Sequence, residues 1–169
     1  MKTIGLLGGM SWESTVSYYQ LINQEVNRRL GGFHSAKVLL NSVDFAEIEQ
    51  LQMRGDWSRC AEILAQHARS LQLAGADFIV LCTNTMHIVA EHIAHAVSIP
   101  LLHIADATAS VLQQNQIDKI GLLGTRFTMQ QPFYCERLLN KYGINTLVPE
   151  IAQMERVHDI IYHECVRVK

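Results

Sequence analysis

The 169-residue sequence predicts an α/β protein of two pseudo-symmetric lobes, each a parallel sheet flanked by helices, with the second lobe incomplete. Three observations carry this. Short apolar runs alternate with longer amphipathic segments, the pattern of parallel strands joined by crossover helices. The run Ile4-Gly5-Leu6-Leu7-Gly8 returns as Ile120-Gly121-Leu122-Leu123-Gly124, an offset of 116 residues, and a helical pattern follows each copy. The composition, 49% hydrophobic and 18% charged, is that of a chain able to bury a core.

The strand candidates, in order, are Thr3 to Leu7, Ala36 to Ser42, Phe78 to Cys82, Leu101 to His103, Lys119 to Leu123 and Asn145 to Val148. Helices fill the gaps. The clearest begins after Asp56, a good N-cap, and carries Cys60, Ile63, Leu64, His67, Leu71 and Ala74 at three- and four-residue steps before Gly75 stops it. That spacing turns Cys60 and His67 toward the sheet, where Cys60 reads most simply as a small buried hydrophobe. A join near Asn115 to Lys119 divides the chain into residues 1–115, the first lobe with Cys82, and 116–169, a partial second lobe.

A net charge of -2 and a pI near 6.4 provide no field to draw in nucleic acid or an anionic membrane. No apolar run approaches the roughly 18 residues of a membrane span. The start, Met1-Lys2-Thr3, leads directly into a strand pattern and not into a secretory signal, so a cytoplasmic location and a small-solute partner are expected. Cys60, Cys82, Cys135 and Cys165 show neither C-x-x-C spacing nor clustering, and free thiols follow in a reducing compartment. Position decides which of them is more than packing.

Gly8-Gly9-Met10-Ser11-Trp12-Glu13-Ser14 links the first strand to the first helix, where unpaired N–H groups favour an anion, with Ser11 as the expected N-cap. It has neither the dinucleotide fingerprint nor the P-loop, and a tight turn explains it equally well. Cys82-Thr83-Asn84-Thr85 ends the third strand, where parallel sheets bind ligands, ahead of a helix from about Met86 to Ala96. A helix N-terminus there is expected to lower the thiol's pKa and supply some thiolate near neutral pH. Gly124-Thr125-Arg126 repeats the strand-end arrangement: Thr125 and Thr128 suit either a ligand or a helix cap, and Arg126 suits a carboxylate. His87, His92 and His95 fit no familiar ligand spacing, so no metal is expected. His103 reads as a partly buried polar residue and Asp106 as an N-cap.

Together these stretches resemble one family. Ile4 through Thr15, with Tyr18-Tyr19 and Ile22-Asn23, resembles the amino terminus of the aspartate/glutamate racemases. Leu81-Cys82-Thr83-Asn84-Thr85-Met86-His87 resembles their first catalytic-cysteine motif, and Leu123-Gly124-Thr125-Arg126 with Thr128-Met129 its second-lobe counterpart. The likeness is strongest to the broad-specificity bacterial amino-acid racemases. It implies the Asp/Glu racemase fold and catalysis without pyridoxal phosphate or metal, by two thiols that remove and return an α-proton on opposite faces of a small amino acid. It implies Cys82 as one thiol, and Met10, Ser11, Gln52, Thr83, Asn84, Thr85 and Thr125 as substrate contacts. Aspartate-specific relatives place a cation around Gln52, so a neutral amide there points to broader or non-acidic substrates.

One departure is expected to matter. From Gly8 to Cys82 is 74 residues, so the repeat puts an equivalent thiol at about 198, past Lys169, and the family's glycine-cysteine-threonine-glutamate motif is absent. Cys135 and Cys165 fall within helical patterns, Gln131 to Lys141 and Met154 to Val166, and not at strand ends. The chain is therefore read as truncated before its second thiol and impaired as a racemase when alone. An unfinished lobe leaves an open sheet edge, so association as a homodimer is expected. The alternative is a non-catalytic domain that binds small carboxylates or a partner; a one-thiol decarboxylase or isomerase ranks below both.

Overall fold

The computed structural model describes residues 1–165, with side chains through Glu164. The expected extension of the last helix to Val166, and the side chain of Cys165, lie outside the described residues. The chain forms two compact units, Met1–Leu102 and His103–Lys169. Among the described residues no helix is long and apolar enough to cross a membrane.

The first unit holds strands β1 (Thr3–Gly8), β2 (Lys37–Ser42), β3 (Phe78–Leu81) and β4 (Leu101–Leu102) in one parallel sheet of order β2-β1-β3-β4. Gly5 faces Leu39 on one side and Ile79 on the other. Each strand candidate of the sequence lies within a residue or two of an observed one. The inner strands are short apolar runs because both faces are covered. Helices α1 (Trp12–Leu30), α2 (Phe45–Arg54), α3 (Trp57–Leu73) and α4 (Ala90–His95) complete the unit. Asp44 caps α2 by accepting the Ala46 N–H (3.1 Å), and Asp56 caps α3 by accepting that of Arg59 (3.0 Å). Helix α3 buries Cys60, Ala61, Leu64, Ala68 and Leu71 in a core shared with Leu7, Ile48, Ile79 and Ile93. Each fully buried leucine there contributes about 1.5–3 kcal/mol. Cys60 is wholly enclosed, and His67 is only half-buried at the edge of that face.

The second unit begins with α5 (Ile104–Gln114) and continues through β5 (Lys119–Gly121), α6 (Arg126–Gln130), α7 (Pro132–Tyr142), β6 (Asn145–Leu147) and α8 (Ile151–Ile160), which widens into a π turn at Ile161–Cys165. Strands β5 and β6 form a two-stranded parallel sheet. Helix α7 starts at Pro132 and stops at Gly143, whose φ of 70° suits glycine. Ala105 and Ala109 of α5 pack with Tyr134, Leu138 and Ile144. Asp106 does not cap α5. His103 does, its Nδ1 accepting the Ala105 N–H, while Asp106, one turn in, takes both Arg137 nitrogens (2.5 and 2.8 Å) and Lys141 Nζ (2.8 Å). These cations hold the Asp106 carboxyl well below the usual carboxylate range. By packing, α5 belongs to the second unit, whereas the sequence repeat begins only after it; 115/116 stands as a proposed repeat boundary.

Candidate active site

The loop after β1 is shaped by glycine. Gly9 has φ +92°, and a Cβ there would run into the backbone of Val43, which itself donates to the Gly8 carbonyl (3.1 Å). A Cβ on Gly8 would strike Thr15. Thr15 is the buried residue of α1, and its Oγ1 accepts the Gly9 N–H (2.9 Å). Ser11 occupies the N-cap position in an extended conformation, but its side chain makes no capping bond. The expected side-chain cap is thus not made; Thr15 instead ties the Gly8–Gly9 turn to the first turn of α1, its Oγ1 accepting from Gly9 and donating to the Ser11 carbonyl (3.2 Å). Met10 is buried and Ser11 half-buried.

Cys82 follows directly on β3, and its N–H donates to the Leu7 carbonyl (2.9 Å), which extends the pairing of β3 with β1 by one residue. This places the thiol beside the end of β1 in one unit, at the carboxyl end of an inner strand. Two expectations fail here. The sulfur is completely enclosed (0% exposed), with the Val80 carbonyl 3.8 Å away, and burial pushes its pKa up to about 12. The segment that follows is a 3₁₀ turn, Thr85–Val89, before the six-residue α4 begins at Ala90. Such a short, tight turn cannot supply the aligned dipole that a long α-helix N-terminus would, so desolvation dominates the thiol. At pH 7 about one part in 10⁵ is thiolate.

Around the thiol, Thr83 is half-buried, Asn84 exposed and Thr85 buried. The His87 ring lies 2.7 Å by its Nδ1 from the Thr83 carbonyl. A carbonyl only accepts, so Nδ1 carries the proton and the Thr83 peptide is held by a buried imidazole. Gln52, on α2, is buried and donates through Nε2 to Met86 Sδ (2.8 Å). Helix α2 and the turn after Cys82 are thereby joined through two side chains. The sequence reading met His87 as the last residue of the cysteine-motif resemblance and as a failed metal ligand, and gave it no role in holding the Thr83 peptide. The two cavities described, of about 440 Å³ beside Trp12, Val16, Tyr19 and Leu40 and about 360 Å³ along Leu21, Val26 and Arg29, include neither Cys82 nor Thr83 to Thr85.

In the second unit Thr125 caps α6, its Oγ1 accepting the Thr128 N–H (3.3 Å) and lying 3.2 Å from Thr128 Oγ1. Arg126 pairs with Glu155 of α8 (3.5 Å) and also lies over the Phe127 ring. Cys135 sits within α7, facing Thr146 of β6, and burial raises its pKa as well.

The class is therefore an α/β protein whose parallel strands carry their polar loops at the carboxyl ends, with a buried thiol following an inner strand. Known proteins narrow this. Residues 7–167 match the family described as Asp/Glu/Hydantoin racemase, and the chain belongs to that family. It is 58% identical to a Yersinia pestis protein whose crystal structure is described as that of a candidate Asp/Glu racemase, with a TM-score of 0.93, over 100% of this chain and 74% of that one. An aspartate racemase homologue from Pyrococcus horikoshii OT3 is 32% identical, with a TM-score of 0.80, over 97% of this chain and 71% of that one. The broad specificity amino-acid racemase RacX of Bacillus subtilis (strain 168) is 34% identical over 79 residues, 47% of this chain. That stretch spans 34% of RacX, about a third of its length.

Proposed function

We propose that this chain is of the cofactor-independent amino-acid racemase kind but impaired as these 169 residues alone, with Cys82 as one of the two thiols by which such a racemase exchanges the α-proton of a small amino acid. The observation that carries this is the family match over residues 7–167 together with the position of Cys82 at the end of β3, beside the β1 loop. Met10, Ser11, Gln52, Thr83, Asn84, Thr85 and Thr125 are the proposed substrate contacts. The reaction takes no pyridoxal phosphate and no metal.

The chemistry asks two things of the protein. An α-proton beside a carboxylate is very weakly acidic, so a closed, dry site with fixed donors must hold the carbanion-like transition state. The thiol must also ionise, and a group held near 12 does so only when a positive charge comes close. The substrate's own ammonium group brings that charge. Its arrival lowers the Cys82 pKa, the thiol proton passes to water before the site closes, and the thiolate then takes the proton from the α-carbon, leaving the electron pair on that carbon beside the carboxylate. These 169 residues carry the first thiol, so the polypeptide alone exchanges a proton on one face without inverting the centre. Gln52, neutral and buried, favours substrates without a second carboxylate. The protein works in the cytoplasm, as a homodimer.

The complete enclosure of Cys82 favours a second reading, a non-catalytic domain that has kept a racemase frame and binds a small carboxylate. Chiral chromatography of single enantiomers incubated with the purified 169-residue polypeptide tests the proposal. Steady racemisation by this chain alone refutes its catalytic incompleteness. If calorimetry detects amino-acid binding while neither racemisation nor α-proton exchange occurs, the second reading replaces the first.

A further inference from the structure

We infer that His158, on α8, is a positioning residue for the Gly124–Thr128 turn, acting as a cap supplied from a second helix. The inference rests on the proposed role of Thr125 as a substrate contact. The first N–H groups of a helix have no partner within it. In α6 the Thr128 N–H is taken by Thr125 Oγ1, and the Arg126 N–H points at His158 Nδ1, 3.4 Å away. An Nδ1 that accepts a hydrogen bond carries no proton, which fixes the neutral form of the ring with its hydrogen on Nε2.

The imidazole is buried and held from both sides. Phe127 meets it edge-on, with centroids 5.7 Å apart, and the Tyr162 ring lies at 4.6 Å. One helical turn before it, Glu155 grips the Arg126 side chain (3.5 Å). Helix α8 thus fixes Arg126 twice, by its backbone through His158 and by its guanidinium through Glu155, and Thr125 directly precedes it. The charged groups acting on the ring are Arg126 from α6, Glu155 and Asp159 from α8 itself, and His163 from the π turn. Burial, Arg126 and His163 disfavour a protonated ring, and Glu155 and Asp159 oppose them, with a net downward displacement of its pKa. The turn is accordingly held at neutral pH and released on acidification. A protonated ring can only donate, and the Arg126 N–H then loses its acceptor.

The test uses the 169-residue chain labelled with ¹⁵N, and three forms: the natural protein, His158→Asn, whose amide oxygen still accepts, and His158→Leu, which cannot. Amide exchange at Arg126 reads the cap without any substrate. A net hydrogen bond is worth about a five- to tenfold change in protection, so His158→Leu should lose that factor at all pH values. His158→Asn should keep it, and the natural protein should lose it only in acid, below the ordinary range of histidine titration. Unchanged protection in His158→Leu, or protection in the natural protein that ignores pH, overturns the inference. L-alanine and L-glutamate, added at pH 7.5, then report on binding through shifts at Thr125 to Met129. Weaker binding in His158→Leu, restored in His158→Asn, is expected. Equal binding in all three forms overturns the positioning role. Should the cap behave as described while neither amino acid moves these resonances, His158 still positions the turn, and it is Thr125 as a substrate contact that fails.

Discussion

The reactivity of the thiols follows from their burial, and Cys82 gives the sharpest case. Raising its pKa from the ordinary 9.0 to about 12 cuts the thiolate share at pH 8 about a thousandfold. A more basic thiolate is also a better nucleophile. With a Brønsted slope of about 0.4–0.5, that gain is roughly thirtyfold, leaving a net slowing of about thirtyfold for a thiol that the reagent can reach. Cys82 is fully enclosed, so access slows it further. Ellman's reagent at pH 8, followed by digestion and mass analysis to assign the sites, should therefore modify Cys82 at least about thirtyfold more slowly than a cysteine in a short peptide. Among the three described thiols, the half-exposed Cys135 should react first and Cys60, buried with a pKa of about 11, between the two. The Cys82 rate should climb about tenfold per pH unit up to pH 11. Modification of Cys82 as fast as the peptide control at pH 7 to 8 refutes the reasoning, because it requires a sulfur that is either solvated or already ionised.

Other changes have equally definite outcomes. Gly9→Ala combines a strained φ of +92° with a clash on the Val43 backbone, and should cost at least about 2–3 kcal/mol in urea unfolding. Leu138→Ala empties a fully buried position in the second unit and should cost about 2–5 kcal/mol by the same measurement. Asp106→Asn removes the charge that joins α5 to Arg137 and Lys141, and should cost about 1 kcal/mol at pH 7. Because folding lowers the pKa of Asp106, its contribution is full above about pH 4 and fades as the pH falls below that. The stabilities of the variant and the natural protein should therefore converge in acid.

The strands of the first unit were legible because β1, β3 and β4 are short apolar runs closed by glycine or polar residues, and β5 because it repeats the β1 pattern. The α3 face was legible for the same kind of reason: Cys60, Leu64, Ala68 and Leu71 recur at helical steps. The segment after Cys82 was not, since Met86, Val89, Ala90 and Ile93 read as one continuous helix and only packing shows the 3₁₀ turn that begins it. Nor could spacing show that the Ser11 side chain makes no cap while Thr15 ties Gly9 to the α1 entrance, because that tie depends on how closely Gly8 and Gly9 approach the helix. His103 makes the cap expected of Asp106, while Arg137 and Lys141, more than thirty residues further on, claim that carboxylate. The enclosure of Cys82 and the contact between His158 and Arg126 likewise sum long-range contacts that no local pattern encodes.

The most direct measurement is solvent exchange at the α-carbon. Each enantiomer of several amino acids is incubated in deuterated water with the 169-residue polypeptide or with its Cys82→Ser variant, and the α-proton signal is followed by NMR. If Cys82 takes the proton, deuterium enters one enantiomer with its configuration retained, and the serine variant abolishes it. Deuterium entering at the same rate in the serine variant would show that the sulfur at the end of β3 is not the base.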